Sequence, residues 1–227
     1  HEYVVYMAHW DHLGKAVGVG GTGGGADGIF NGAVDNATGV AGILEIAKAF
    51  VGGPRPERSV VFIAVTAEES GLLGSLYYGR NPVFPHAQTA AVINIDALEP
   101  YGRTRDVEVI GFGASELEDY LKAAAAKQGR VLKPDSRAGE GLFFRSDHFM
   151  LAKEGVPALY VKSGEDAVTH SREWIAAQRA DWLARRYHKP ADEYDPTWDV
   201  QGSLEDLRLL YEVGHRVANE QRWPEWY

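Results

Sequence analysis

Five apolar runs rich in β-branched residues, Tyr3 to Ala8, Ser59 to Thr66, Ala90 to Ile95, Asp106 to Ile110 and Pro157 to Val161, alternate with segments of helical period. That alternation constrains the chain more than any other feature. Strands separated by helices cannot pair as hairpins, so they line up mostly parallel and bury both faces under helices. The expected fold is α/β, a three-layer sandwich with a central mixed, mostly parallel sheet. Helices are expected from about Ala37 to Phe50, with Val40, Ile43, Leu44 and Ala47 at core spacing, from Ser115 to Gln128 and from Leu204 to Asn219, with a shorter one starting near Ser70. The polar, glycine-rich stretch from Gly14 to Gly32 reads as a loop. At 227 residues and 45% hydrophobic, the chain suits one large core, read here as one domain over residues 1–227.

The ends of these strands carry the chemistry. His9 follows the first, Glu68 and Glu69 follow the second, and Asp96 ends the third. In open α/β sheets, ligands bind at the carboxyl edge of the strands, where the loops converge on one crevice. A net charge of −9 disfavours nucleic acid and anionic membranes as partners, and no run approaches the ~18 apolar residues of a membrane span. Cysteine is absent, which excludes zinc–thiolate sites, thiol catalysis and disulfides. The opening HEYVVYMAHWDH has neither an initiator Met nor a signal peptide and already reads as a strand, so a natural N-terminus upstream is expected.

In AHWDH, His9 and Asp11 lie two apart and would project from one face of an extended segment, so that Asp11 could take the proton of the second imidazole nitrogen. His12 is the alternative to His9, and the placement of Asp11 favours His9. In NGAVDNATG, Asp35 could cap the following helix. With Asn36 beside it and Gly32 and Gly39 flanking, one residue could cap while the other points into the crevice. In VTAEESGLLGS, an acidic first helical turn accounts for two successive carboxylates; so does a pairing of metal ligand, Glu69, with proton acceptor, Glu68. Asp96 ends a nearly all-apolar run, where a carboxylate needs a cation or several donors. His188, in a proline-containing loop with Asp192 nearby as a partner, completes the set, with His148 in RSDHFML as its rival. Asp35, Glu69 and Asp96 sum to −3; two divalent ions make the cluster +1 and a bridging hydroxide neutralises it, whereas one ion leaves −1 unless a carboxylate protonates.

Taken in order, AHWDH, GAVDNATG, TAEESGLLGS, NIDAL, RSDHF and YHKPADEY resemble the zinc-dependent exopeptidases that include bacterial leucyl aminopeptidases, glutamate carboxypeptidase-type enzymes and glutaminyl cyclases. The resemblance spans most of the chain. It implies two Zn2+ per chain, His9 and Asp96 holding one, Glu69 and His188 the other, and Asp35 bridging, which selects His188 over His148. It also implies Glu68 as general base and Asp11 as the residue orienting a ligand histidine. The implied reaction is attack of a zinc-bridging water on a peptide carbonyl in an aminopeptidase, with Glu68 passing the proton to the leaving amine. A carboxypeptidase, dipeptidase or glutaminyl cyclase, or a non-catalytic receptor-like module, are the other fates of such a chain. Bacterial secreted or periplasmic members are the nearest in kind. Two features depart from the pattern: Phe143 and Phe144 stand where some relatives have an oxyanion-steadying tyrosine, and elements usually found before the first strand are missing. Phe143, Phe144 and Tyr160 are candidate substrate-binding residues. GVGGTG at Gly18 to Gly23 matches a dinucleotide fingerprint in form, but no strand feeds it and no helix leaves it.

Overall fold

A computed structural model describes residues 1–16 and 28–227. The Gly18–Gly23 fingerprint lies outside them. At the centre is a six-stranded sheet of β1 (Tyr3–His9), β4 (Ser59–Val65), β5 (Thr89–Asn94), β6 (Asp106–Val109), β7 (Val131–Pro134) and β8 (Ala158–Ser163), in the order β4-β1-β5-β8-β6-β7. All neighbouring pairs are parallel except β6–β8. The sandwich is therefore mixed and mostly parallel, as the alternation requires. A two-stranded antiparallel ribbon, β2 (Gly14–Lys15) with β3 (Ile29–Phe30), closes the ends of the stretch read as a loop.

β1 shows how the layers form. It is buried on both faces, and its alternation divides the core. Val4, Tyr6 and Ala8 join Ile43, Ile46 and Phe50 of α1 (Thr38–Gly52), Leu117 and Leu121 of α3 (Leu117–Lys127) and Leu210, Val213 and Val217 of α6 (Gln201–Asn219). Val5 and Met7 face the other way, with Val92 and with Leu151 of α4 (His148–Ala152); Tyr78 of α2 (Leu73–Arg80) packs against this smaller cluster. Tyr6 crosses the larger core to donate its hydroxyl to the Leu210 carbonyl at 2.8 Å, and a Cβ on Gly214 would collide with that hydroxyl. Glycine at 214 is what allows α6 to approach the sheet so closely.

The helices expected from periodicity are present with ends shifted by a few residues, and the short one begins at Leu73 rather than Ser70. Of the elements not expected from the sequence, β7 and α5 (Arg172–Arg185) belong to the main layers. β7 is four residues ending in proline, and α5 buries only Ile175 and Arg179. Arg179 binds Glu99 at 2.9 Å and the Ser163 carbonyl at 2.7 Å, so α5 docks through a cation rather than an apolar stripe. Among the described residues no helix is long and apolar enough to cross a membrane.

Candidate metal centre

His9, the last residue of β1, pairs in register with Val65, the last of β4, so the loops that follow start side by side. Of the four non-glycine residues with positive φ among the described residues, Ala67 (57°), Ala97 (56°) and His188 (56°) are a donor residue or stand one or two places from one. Left-handed backbone at non-glycine residues is held only where the surroundings over-determine it, and such residues gather at functional sites. The bend at Ala67, fixed by donation of its N–H to Asp11 Oδ2 at 2.7 Å, turns the chain just before the two glutamates.

Asp35 and Asn36 divide two jobs. Asn36 staples the loop to the sheet: Oδ1 accepts from Gly39 N and Ala97 N, both at 3.0 Å, and Nδ2 donates to the Ile95 carbonyl at 3.0 Å. Gly39 is required because a Cβ there would meet the Ile95 carbonyl. Asp35 is left facing the crevice. Its Oδ1 lies 3.1 Å from His9 Nε2 and its Oδ2 3.4 Å from His188 Nε2. Asp96 Oδ1 is 3.6 Å from His9 Nε2, and Glu69 Oε2 is 2.9 Å from His188 Nε2. Thus His9, Asp35, Glu69, Asp96 and His188, scattered over 180 positions of sequence, come together as two groups sharing Asp35.

Two histidine partners differ from expectation. His9 Nδ1 meets the backbone carbonyl of Asp11 at 3.0 Å, not its carboxylate. β1 ends at His9, so the two-residue alternation stops there and the Asp11 side chain is free to turn to Ala67. A carbonyl can only accept, so Nδ1 carries the proton and Nε2 is left as the donor atom toward a metal. Asp192 likewise does not reach His188. It is fully buried and accepts from Val34 N (3.1 Å), Asp35 N (3.0 Å) and Trp182 Nε1 (3.4 Å), so it holds the Asp35 segment by its backbone. Removing it orphans buried amides. Asp192→Ala is expected to cost about 1–3 kcal/mol in urea unfolding and to weaken metal binding, whereas a contact relevant only to His188 would leave stability alone.

Further neighbours complete the site, of which sequence reasoning missed Asn94 and the role of His12. His12 Nδ1 is 2.7 Å from Glu69 Oε1, and its ring meets that of His188 edge-on at 5.6 Å; the three-residue spacing from His9 was the available signal. Asn94 donates to Ser146 Oγ at 2.7 Å and Ser146 donates to Asp96 Oδ2 at 2.6 Å, a relay that aims Asp96. Asp147 and His148 do not join the donor groups. Asp147 accepts from Ser75 at 2.6 Å, and burial pushes it up to about 7. His148 is buried between Phe143 and Tyr160 and is driven down to about 3 by burial, so it is neutral.

That neutrality predicts a pH dependence. The folded state excludes a proton that the unfolded chain accepts near pH 6.5, so His148 contributes fully above that value and its contribution falls as pH drops toward 3. In chelator, stability should decline by about 1.4 kcal/mol per pH unit more in the wild type than in His148→Phe over this window, measured by urea titration at several pH values.

A cavity opens on the donors, lined by Asp35, Glu68, Glu69, Asp96, Tyr160, Tyr187, Leu142, Arg145 and Lys162 among others. Tyr160 is on its wall, but Phe143 and Phe144 are not. The turn Leu142–Arg145 sends Leu142 and Arg145 inward, while Phe143 packs on Phe149 and His148 and Phe144 is 61% exposed. Glu68 touches the cavity without binding a donor histidine. Its burial, then the charge of Asp96, push it up to about 9. For His9 burial works downward, but close contact with Asp35 and Asp96 outweighs it and pulls the imidazole up to about 12. For Asp35 burial works upward and is likewise outweighed, by His188 and His9, which hold it below the usual carboxylate range.

The donor set fits divalent cations. His9 Nε2, His188 Nε2 and Glu69 Oε1 are buried without a hydrogen bond, although carboxylates stand within pairing distance of the two histidines and His12 within that of Glu69. His9, Asp35 and Asp96 offer atoms within 4.8 Å of one another, and so do His12, Asp35 and Glu69. An imidazole–carboxylate set with no thiolate suits zinc.

Known proteins share parts of this sequence and its fold. A segment of 67 residues, 30% of this chain, is 42% identical to a "Probable zinc metalloprotease" of Pyrenophora tritici-repentis, of which it covers 15%. The LapA aminopeptidase of Legionella pneumophila superposes with a TM-score of 0.70 at 20% identity, over 98% of this chain and 53% of that one. A leucine aminopeptidase precursor from Bacteroides thetaiotaomicron gives 0.61 at 18% identity, over 97% and 73%. The chain thus spans about half the length of LapA and a small part of the curated relative. Over residues 1–211 the sequence matches peptidase family M28, a family of zinc metallopeptidases, and the chain belongs to that family.

Proposed function

We propose that residues 1–227 form one catalytic domain of a two-zinc aminopeptidase that releases N-terminal residues from peptides. The observation that carries this reading is the double approach of Asp35, one oxygen toward His9 and the other toward His188, as a bridging carboxylate requires. His9 and Asp96 would hold one zinc, Glu69 and His188 the other, with Asp35 between them and His12 buttressing Glu69. Bound zinc supplies Lewis acidity toward a peptide carbonyl and lowers the pKa of water toward about 7.

The remaining work falls to this chain's own groups. Glu68 accepts a proton from the attacking water and returns it to the leaving amine. Its elevation comes second to burial from the negative charge of Asp96, so neutralising Asp96 brings Glu68 down toward the range of a base at neutral pH. Phe143 and Phe144 carry no donor for the oxyanion. Tyr160 and Tyr187 line the cavity and burial keeps both protonated; Tyr160 makes only a long 3.5 Å contact to the Asp96 carbonyl, so both hydroxyls can turn to the developing negative charge. The carbonyl of Asp11 fixes the His9 tautomer, and Ser146 fixes the rotamer of Asp96.

Named aminopeptidases and a named glutaminyl cyclase both occur among the structural neighbours, so the choice of the aminopeptidase reaction rests on the double approach of Asp35, and the precursor among the neighbours supports a secreted or periplasmic location. The test is metal analysis of purified protein together with hydrolysis of a panel of aminoacyl anilides. About two zinc per chain and release of the anilide are expected. One zinc with cyclisation of N-terminal glutamine would move the protein to the cyclase reaction.

A further inference from the structure

A second cavity, of about 330 Å³, adjoins the metal centre, with Trp182 lining both. Tyr101, Trp174 and Trp198 also line it, so three of the six tryptophans of the chain meet at one opening. Helical spacing places two of them. Trp174, Gln178 and Trp182 recur every four residues on α5 and turn one stripe of that helix to the opening, while Ile175 and Arg179 on the adjoining face are buried. Trp198 arrives on the loop before α6, and that loop is pinned. Gly102 N donates to the Asp199 carbonyl at 2.9 Å and Trp198 N to the Asp195 carbonyl at 3.1 Å, while a Cβ on Gly202 would collide with the Gly102 carbonyl. Tyr101 meets Trp174 edge-on at 6.3 Å. The walls are therefore set by backbone and ring contacts of the fold.

The polar lining is mainly anionic. Asp181 is taken by Arg185 at 2.9 Å, but Asp195 and Asp199 are not neutralised in this way. Their Oδ1 atoms accept from Thr197 N (2.9 Å) and Gln201 N (3.0 Å), and among the described residues neither carboxylate has a cationic side chain within 4.0 Å. Arg186 is the only Lys or Arg on the wall and pairs with neither. Elsewhere the protein gives its inward-facing charges partners, as Arg130 has Asp206 at 2.7 Å. An apolar occupant would bury Asp195 and Asp199 without a counter-charge, and a small hydrated metal ion would gain little from indole rings. An organic cation answers both, because the ring quadrupole and the carboxylates attract it together.

We propose that this cavity binds an organic cation, an alkylammonium or guanidinium head seated against Trp174 and Trp198 with Asp195 and Asp199 as its counter-ions. The site is separate from the metal donors and stands whether or not the peptidase reading does. Trp182 forms the partition between the two cavities, and its Nε1 donates to Asp192, the carboxylate that holds Asp35 N. Substitutions that probe the cation site therefore leave Trp182 in place.

The experiment is calorimetric titration of the zinc-loaded protein at low salt with two matched pairs: choline against neohexanol, its uncharged carbon isostere, and Nα-acetylarginine amide against Nα-acetylcitrulline amide. None of the four carries a free amine or carboxylate that would seek the zinc. The cation of at least one pair should bind about tenfold more tightly than its neutral partner, and the pair that responds tells whether the site prefers a quaternary ammonium or a guanidinium. Asp195→Asn combined with Asp199→Asn keeps the oxygens that Thr197 and Gln201 use, so zinc content and Tm should hold while the preference falls toward unity. Trp198→Leu, made separately, should weaken the cation by about fivefold or more with less effect on the neutral partner. Equal binding within both pairs, or no binding of either cation, overturns the proposal. So does a preference that survives the paired aspartate substitutions, which would put the cation among the carboxylates of the metal centre. If the paired variant loses zinc or unfolds, Trp198→Leu decides alone, and an unchanged preference there overturns the proposal as well.

Discussion

Glu68→Gln is expected to lower kcat for aminoacyl anilides by ~10²–10⁴ while leaving zinc content unchanged. Glu68 lines the cavity but makes no contact with a donor histidine, and the donors are complete without it. Glutamine keeps the shape and loses the proton acceptor, so the loss should appear in kcat with little change in KM, the pattern of an interaction made only in the transition state. Two outcomes would count against the role. Full activity removes Glu68 as base, and loss of zinc reassigns it as a ligand. Glu69→Gln is the control: it touches both His12 (2.7 Å) and His188 (2.9 Å), so its loss should show first in metal content.

The strand-end positions were the legible part of this site. His9, Glu68, Glu69 and Asp96 each follow an apolar run whose strand character is unambiguous, and the carboxyl edge of a parallel sheet is a place fixed by topology. Asp35 was legible for a different reason: Gly32 and Gly39 leave no room for side chains, with Gly32 in left-handed backbone at φ 59° and Gly39 against the Ile95 carbonyl. His188 was not legible in this way. It sits in an irregular loop at φ 56°, and neither period nor capping rule marks it, so only the likeness of YHKPADEY to a family motif singled it out. The misassigned partners share a cause. Asp11, Asp192, Phe143 and Phe144 all lie outside the strands and α-helices, where side-chain direction depends on turns that alternation does not describe. Asp11 met His9 through its carbonyl, Asp192 took backbone amides, and the Leu142–Arg145 turn sent Leu142 and Arg145, not the phenylalanines, into the cavity. Elements held by charge were equally silent. α5 carries Arg179 where a core helix would carry an aliphatic residue, and its anions Glu99 and Glu108 come from distant segments.

Asp35→Asn should abolish binding of both zinc ions, and thereby separate a bridging carboxylate from an ordinary ligand. If Asp35 serves only the His9 side, the variant keeps about one zinc; if it bridges, neither remains at ordinary concentrations. Stability gives a second readout. A ligand that binds only the folded chain adds RT ln(1 + [L]/Kd), about 4 kcal/mol for a site at a thousandfold excess over Kd, so chelation should lower the wild-type Tm by many degrees. The metal-free variant will itself be somewhat less stable than metal-free wild type. Asp35 is held below the usual carboxylate range by His188 and His9, and its ionised form therefore contributes stability above pH 4 that asparagine lacks. The informative quantity is the increment that zinc adds in each protein, not either Tm alone. Wild type should show the full increment and Asp35→Asn almost none. Asp96→Asn should keep an intermediate one, because Glu69, His188 and Asp35 still converge when Asp96 is neutral. An Asp35→Asn protein that retained the wild-type increment would leave two independent sites with no shared carboxylate, and the two-zinc mechanism would lose its bridge.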